Sequence, residues 1–183
     1  MESNYRFVVA TAFAAASLAS VSNAGLVGTN CSLRYFAAST DATYQEQSFI
    51  VSNLLPEFYY GVDFGATYGA FSVDVKSSSM TVTFDYDAPY IYFAEGDRLA
   101  LTIPASLQFG GFTLGPSNDI TGLELSDLSG SGTRTLLIDA SLITTSAPGA
   151  SFTINFTTSA VPGPSALVIL SACAAFTARR RRG

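Results

Sequence analysis

Phe71-Ser-Val-Asp-Val-Lys-Ser-Ser-Ser-Met-Thr-Val-Thr-Phe-Asp-Tyr86 consists of two runs of strict alternation about a short polar break. Phe71, Val73 and Val75 alternate with Ser72, Asp74 and Lys76, and Met80, Val82, Phe84 and Tyr86 alternate with Thr81, Thr83 and Asp85. Successive side chains of a strand point to opposite faces, so a period of two gives each run one apolar and one polar face. Lys76-Ser-Ser-Ser-Met80 between them reads as a hairpin loop.

The same period recurs on both sides. Leu99, Leu101 and Ile103 alternate before Pro104; further runs cover Ile120 to Leu125, Thr135 to Leu142, and Phe152, Ile154 and Phe156. Ser129-Gly-Ser-Gly132 and Ala147-Pro-Gly149 break them, and Gly110-Gly111 between Phe109 and Phe112 fits a bend or bulge. No long stretch carries the 3.6-residue period of an amphipathic helix. About ten short strands at this spacing predict an all-β fold, a single antiparallel β-sandwich of jelly-roll-like kind over residues 25–160, with a closed barrel as the alternative. That length suits one domain with a core of its own. Val73, Val82, Phe84, Leu101, Ile138, Ile154 and Phe156 are expected to face inward.

Charge and cysteine content exclude several functions. Residues 25–160 hold Arg34, Lys76, Arg98 and Arg134 against thirteen carboxylates, a balance of minus nine, whereas the whole chain stands at minus five because the ends carry five arginines and Glu2. An acidic surface repels phosphate backbones, so nucleic acid is not an expected partner. The chain has no histidine, which removes histidine-based triads and histidine metal sites. Cys31 is the only thiol before the tail, so the domain has no internal disulfide; without a histidine base beside it, it is expected as a small buried or strand residue. No Walker-type or dinucleotide-binding glycine pattern follows a strand. The expectation is a protein without enzymatic activity.

The two ends read as addresses. Residues 1–24 place Arg6 before an apolar run from Phe7 to Ala19 and then set the small residues Ser22 and Ala24 at the spacing of a cleavage site, the pattern of a signal peptide and its helix. Residues 161–183 begin Val161-Pro162-Gly163-Pro164, continue as an uncharged, mostly apolar stretch over 165–178, and finish with Arg179, Arg180, Arg181, Arg182 and Gly183. Pro162 and Pro164 forbid a regular helix through themselves. Fourteen helical residues reach about 21 Å, short of a hydrocarbon core of about 30 Å, so a short C-terminal transmembrane helix would need a thinned bilayer or snorkelling arginines. The positive cluster keeps that end cytoplasmic and everything before Pro162 outside.

As a composite, this tail resembles the PEP-CTERM sorting signal of exopolysaccharide-producing bacteria: a Pro-Glu-Pro motif (162–164 here), a short apolar helix and a terminal arginine cluster. Gly163 stands where the family has glutamate. The resemblance implies a membrane processing enzyme of the exosortase type as partner, transient residence in the membrane, and delivery to the cell surface or extracellular matrix. It also implies a structural or interaction role associated with extracellular polysaccharide.

Two sets of residues within the domain bear on an alternative, a calcium-assisted carbohydrate-binding module. Phe58-Tyr59-Tyr60 and Tyr90-Ile-Tyr92-Phe93 put adjacent aromatics on opposite strand faces, so some of Tyr59, Tyr60, Tyr90 and Tyr92 must point outward, where tyrosine can stack on sugar rings. Asp85, Asp87, Glu95 and Asp97 flank the second of these stretches, and clustered loop oxygens are what calcium needs. No cofactor other than calcium is in prospect. An enzyme acting on polysaccharide through paired carboxylates ranks behind both readings, since nothing separates these acids from ordinary loop acids.

Overall fold

A computed structural model describes residues 25–61, 71–84, 93, 95–141 and 143–161. They form β1 (Asn30–Ala37), β2 (Ala42–Ile50), β3 (Phe58–Tyr60), β4 (Phe71–Val75), β5 (Ser79–Phe84), β6 (Asp97–Thr102), β7 (Leu107–Asn118), β8 (Ile120–Thr121), β9 (Leu128–Ser129), β10 (Thr135–Asp139), β11 (Thr144–Thr145) and β12 (Ser151–Ala160). The fold is all-β, and its pairings are antiparallel. One five-stranded sheet runs β2-β1-β6-β10-β9, a second runs β3-β4-β5-β12-β7, and β11 with β8 makes a two-stranded ribbon.

The hairpin expected at residues 71–86 is β4 and β5. Phe71 lies opposite Phe84, Val73 opposite Val82 and Val75 opposite Met80, all six buried, and the Lys76 amide closes the turn onto the Ser79 carbonyl at 2.8 Å. Cross-strand pairs of this kind are the unit from which a sheet draws its stability. Both large sheets contribute to one core: Leu33, Leu101 and Ile138 from the first sheet and Val82, Phe84 and Ile154 from the second belong to a single buried cluster. The seven residues expected inside are at most 3% exposed.

β7 departs from a plain strand at its glycines and proline. Thr157 faces Gly111 while Thr158 faces Phe109, so Gly110 is an extra residue, the bulge expected at the Gly-Gly pair. A second irregularity spans Gly115 and Pro116, which suits a proline that has no N–H to give to the ladder. The run Ile120 to Leu125 is not one strand: it stops at Thr121, because Gly122 takes a positive φ of 86° and residues 125–127 make a single 3-10 turn. That turn is held by a box in which the Asp127 carboxylate accepts from the Glu124 amide at 2.7 Å.

The signal segment 1–24, the sorting motif 162–164, the apolar stretch 165–178 and Arg179–Arg182 lie outside the described residues. Among the described residues no helix is long and apolar enough to cross a membrane.

Candidate functional site

The residues singled out from sequence are divided by the fold. Asp85, Asp87, Tyr90 and Tyr92 lie outside the described residues. Tyr59 and Tyr60 sit on β3, where alternation sends Phe58 inward, Tyr59 out to solvent at 46% exposure, and Tyr60 back to a half-buried place. Glu95 is exposed in the turn before β6, whereas Asp97 opens β6 and is buried at 3% exposure. A solvated loop pair is therefore not what the described half of the acidic set forms.

Asp97 instead anchors a tyrosine cluster. The Tyr35 hydroxyl donates to Asp97 Oδ2 at 2.6 Å and the Tyr44 hydroxyl to Oδ1 at 3.2 Å. Tyr35 stacks at a tilt on Tyr44, with centroids 4.7 Å apart, and meets Tyr60 edge to face at 4.8 Å. Phe71 and Phe93 complete the cluster, each with an edge-to-face contact to Tyr35, and Phe71 also meets Tyr60 at 5.4 Å. Offset and edge-to-face pairs suit the ring quadrupole, and a buried phenol needs the hydrogen bond that Asp97 supplies.

A bulge makes this cluster possible. Tyr35 pairs with Gln45 but Phe36 pairs with Thr43, so Tyr44 is the extra residue of β2 and its ring turns toward Tyr35. Strict alternation would have sent Tyr44 and Gln45 to opposite faces. Gln45 also leaves its own sheet: its side-chain amide donates to the Tyr59 carbonyl at 3.0 Å, and Gln47 donates to the Glu57 carbonyl at 3.1 Å. Two edge strands from different sheets, β2 and β3, are thereby linked through side chains. Those bonds occupy the Tyr59 and Glu57 carbonyls.

The electrostatics keep the phenols protonated. Burial pushes the Tyr35 hydroxyl well above its ordinary value, and its hydrogen bond to Asp97 pushes in the same direction. Tyr44 and Tyr60 are raised as well, by burial and by the negative charge of Asp97. A cluster whose phenols hold their protons offers hydrogen-bond donors and ring faces rather than a base or a nucleophile. Cys31, on β1 and 3% exposed, is equally unreactive: burial raises its thiol, and its sulfur lies 3.4 Å from the Thr29 hydroxyl.

Among the described residues no three of His, Cys, Asp or Glu gather into a set able to hold a metal ion. A cleft of about 60 Å³ between Leu114, Ser117, Ile120, Leu123 and Phe152 holds no titratable group. It is far smaller than the roughly 300 to 1,000 Å³ typical of ligand pockets. No protein-family model, curated protein or solved structure matches this chain.

Sequence reading found Tyr60 and Asp97 but not Tyr35 or Tyr44, their partners. Tyr35 stands in Leu33-Arg-Tyr-Phe36, whose alternation was detectable, whereas Tyr44 depends on a bulge that no local residue announces.

Proposed function

We propose that this is a secreted, non-enzymatic surface or matrix protein whose folded part is a β-sandwich and whose tail is a sorting signal of the PEP-CTERM kind. The observation that carries the reading is the order of the tail: Pro162-Gly163-Pro164, an uncharged apolar stretch over 165–178, and four arginines. The edge of the folded part agrees with it. β12 ends at Ala160 and the Val161 amide makes a 2.8 Å bond to the Ser106 carbonyl, so the last described residue, still tied to the domain, immediately precedes the first proline.

The sandwich reading rests on the shared core of the two five-stranded sheets, and β6, β7, β10 and β12 alternate between those sheets in the manner of a jelly roll. β1-β2 and β3-β4-β5 each stay within one sheet, so the likeness covers the second half. Extracellular polysaccharide is the proposed surrounding, and a membrane enzyme of the exosortase type the proposed processing partner.

A second reading, a calcium-assisted carbohydrate-binding module, is favoured by Tyr44 and Tyr59. They are each 46% exposed on the linked strands β2 and β3, where rings can meet a sugar. Glycan-array binding with and without EDTA separates it from a purely structural role.

The test of the sorting reading is the Pro162→Ala/Pro164→Ala variant, expressed in a host that has a sorting enzyme and fractionated beside wild type. Neither proline supplies much apolar area, so insertion continues, but the shape presented for processing is lost. Uncleaved precursor is expected in the membrane fraction. Normal processing of the variant would reduce the tail to a simple anchor.

A further inference from the structure

Five of the nine large apolar side chains exposed among the described residues are Val27, Ile50, Leu54, Leu55 and Val161, at 45%, 66%, 87%, 71% and 40% exposure. They lie at one pole of the molecule. Asn30, which opens β1, faces Ile50 at the end of β2, and the Gly28 amide bonds to the Val51 carbonyl, which puts Val27 beside the loop that carries Leu54 and Leu55. The Leu26 amide bonds to Ser77 in the β4–β5 turn, and Phe156 of β12 bonds to Ser78 in the same turn. Beyond that point Ala160 pairs with Leu107, and the Leu107 amide bonds to Pro104, just past the end of β6. Ser32 pairs with Thr102, so Pro104 is level with the start of β1. Val161, the last described residue, therefore lies at the same pole as the exposed leucines.

Charge is distributed in the opposite sense. Asp41, Glu95, Asp119 and Asp139 lie in or beside the turns of the far pole, at the ends of β1, β6, β7 and β10 that point away from Val161, where Arg34 pairs with Asp41 and Arg98 with Asp139. At the apolar pole the ionic groups are already engaged. The two Glu57 oxygens accept from the Ser52 and Val75 amides at 2.7 and 2.8 Å, clamping the Leu54–Leu55 loop between the two sheets. Lys76 pairs with Asp74 at 3.2 Å, and Arg134 donates to the Ile103 carbonyl.

We infer that this pole rests on the lipid bilayer, with Leu54 and Leu55 inserted among the headgroups. The inference rests on the reading of residues 165–178 as a membrane segment and adds an orientation for the domain. Chain length demands closeness: from Val161 to Ser165 is four residue steps, which span at most about 14 Å fully extended. The pole thus stands within or against the headgroup layer, which accounts for the difference between a core of about 30 Å and a total of about 40 to 45 Å. Apolar side chains gain there by leaving water, while the acidic pole is kept away from anionic lipid. Because Asp74 and Glu57 balance Lys76 and Arg134 at this pole, attachment depends on apolar burial and needs no anionic lipid.

The chain has no tryptophan, so one introduced tryptophan reports its own surroundings. The experiment compares Leu54→Trp and Ser39→Trp, one at each pole, in the full chain reconstituted into phosphatidylcholine vesicles with and without brominated lipid. For chain that floats with the vesicles, Leu54→Trp emission shifts to the blue and is quenched by bromine, and Ser39→Trp emission does neither. The shift persists in high salt. Floating chain in which the Leu54→Trp emission is unmoved overturns the orientation and leaves the anchor standing. A response at both positions also overturns it. Chain that does not float overturns both the orientation and the membrane reading of the tail.

Discussion

The Tyr35 hydroxyl and the Asp97 carboxylate, 62 residues apart in the chain, meet at 2.6 Å across neighbouring strands, and the same carboxylate holds Tyr44 through its other oxygen. A bond between a phenol and a charged oxygen in a buried place stabilises by about 1.5 to 3 kcal/mol. Asp97→Asn keeps the shape but loses the charge and turns one acceptor into a donor facing a hydroxyl. A loss of about 2 kcal/mol is expected from denaturant midpoints. Tyr35→Phe should cost a similar amount, and the double variant less than the sum, because both changes remove one bond.

The same contact sets a response to alkali. Tyr35 has its ionisation raised in the folded protein above the ordinary value of about 10 that it recovers on unfolding. A raised value means that the stabilisation is whole below about pH 10 and is lost as pH climbs above it, since the unfolded chain gives up the proton first. Stability should fall by about 1 kcal/mol between pH 10 and 11 for this group alone, the slope steepening toward about 1.4 kcal/mol per pH unit above that. In Tyr35→Phe the decline is shallower, with a remainder from Tyr44 and Tyr60, whose ionisation is raised in the same sense.

Alternation is legible where each strand has one wet and one dry face. It is lost where the fold inserts an extra residue or uses an edge. The seven expected core residues are buried because Phe71–Phe84 and its neighbours obey the period of two with no interruption. β2 shows the other case: most of Ala42–Ile50 is exposed, as fits an edge strand, and its register shifts beside Tyr44, so no apolar stripe marked it. In β7 the bulge at Gly110 was legible from the Gly110-Gly111 pair, but a second irregularity at Gly115 and Pro116 interrupts the period again, so no continuous alternation marked one twelve-residue strand. Within the tyrosine cluster Tyr60 and Asp97 were visible as residue types of the right chemistry. Their pairing was not, because it depends on β1 and β6 being neighbours across 62 positions.

Glycines in the break Ser129-Gly-Ser-Gly132 are not equivalent. Gly130 has φ of 114°, and a Cβ there would run into the Thr135 carbonyl oxygen; Gly132 has φ of 76° and open space around it. Gly130→Ala should therefore cost more than about 2 kcal/mol, combining backbone strain with a clash that only backbone movement can relieve. Gly132→Ala pays the left-handed conformation alone, about 1 kcal/mol. Thermal melts of the two variants should rank in that order, and equal costs would mean that the turn docks on β7 differently.

The arginines of the tail should decide topology, since the apolar stretch before them is too short and too diluted to do so alone. Only Leu167, Val168, Ile169, Leu170 and Phe176 are strongly apolar between Ser165 and Ala178. On an insertion scale that credits such residues with a few tenths of a kcal/mol each, the segment is marginal. Four positive charges on its far side resist translocation and hold the end in the cytoplasm. Replacing Arg179 to Arg182 with glutamine removes that resistance while leaving the apolar stretch and both prolines intact. Most of the chain should then pass through the membrane and appear, unprocessed at its tail, in the soluble exported fraction. The measurement is fractionation with a tag placed after Gly183, scored for protease protection. A tag that stays on the cytoplasmic side at wild-type level would show that the apolar stretch anchors without its charges, and the orienting role given to the arginines would fall.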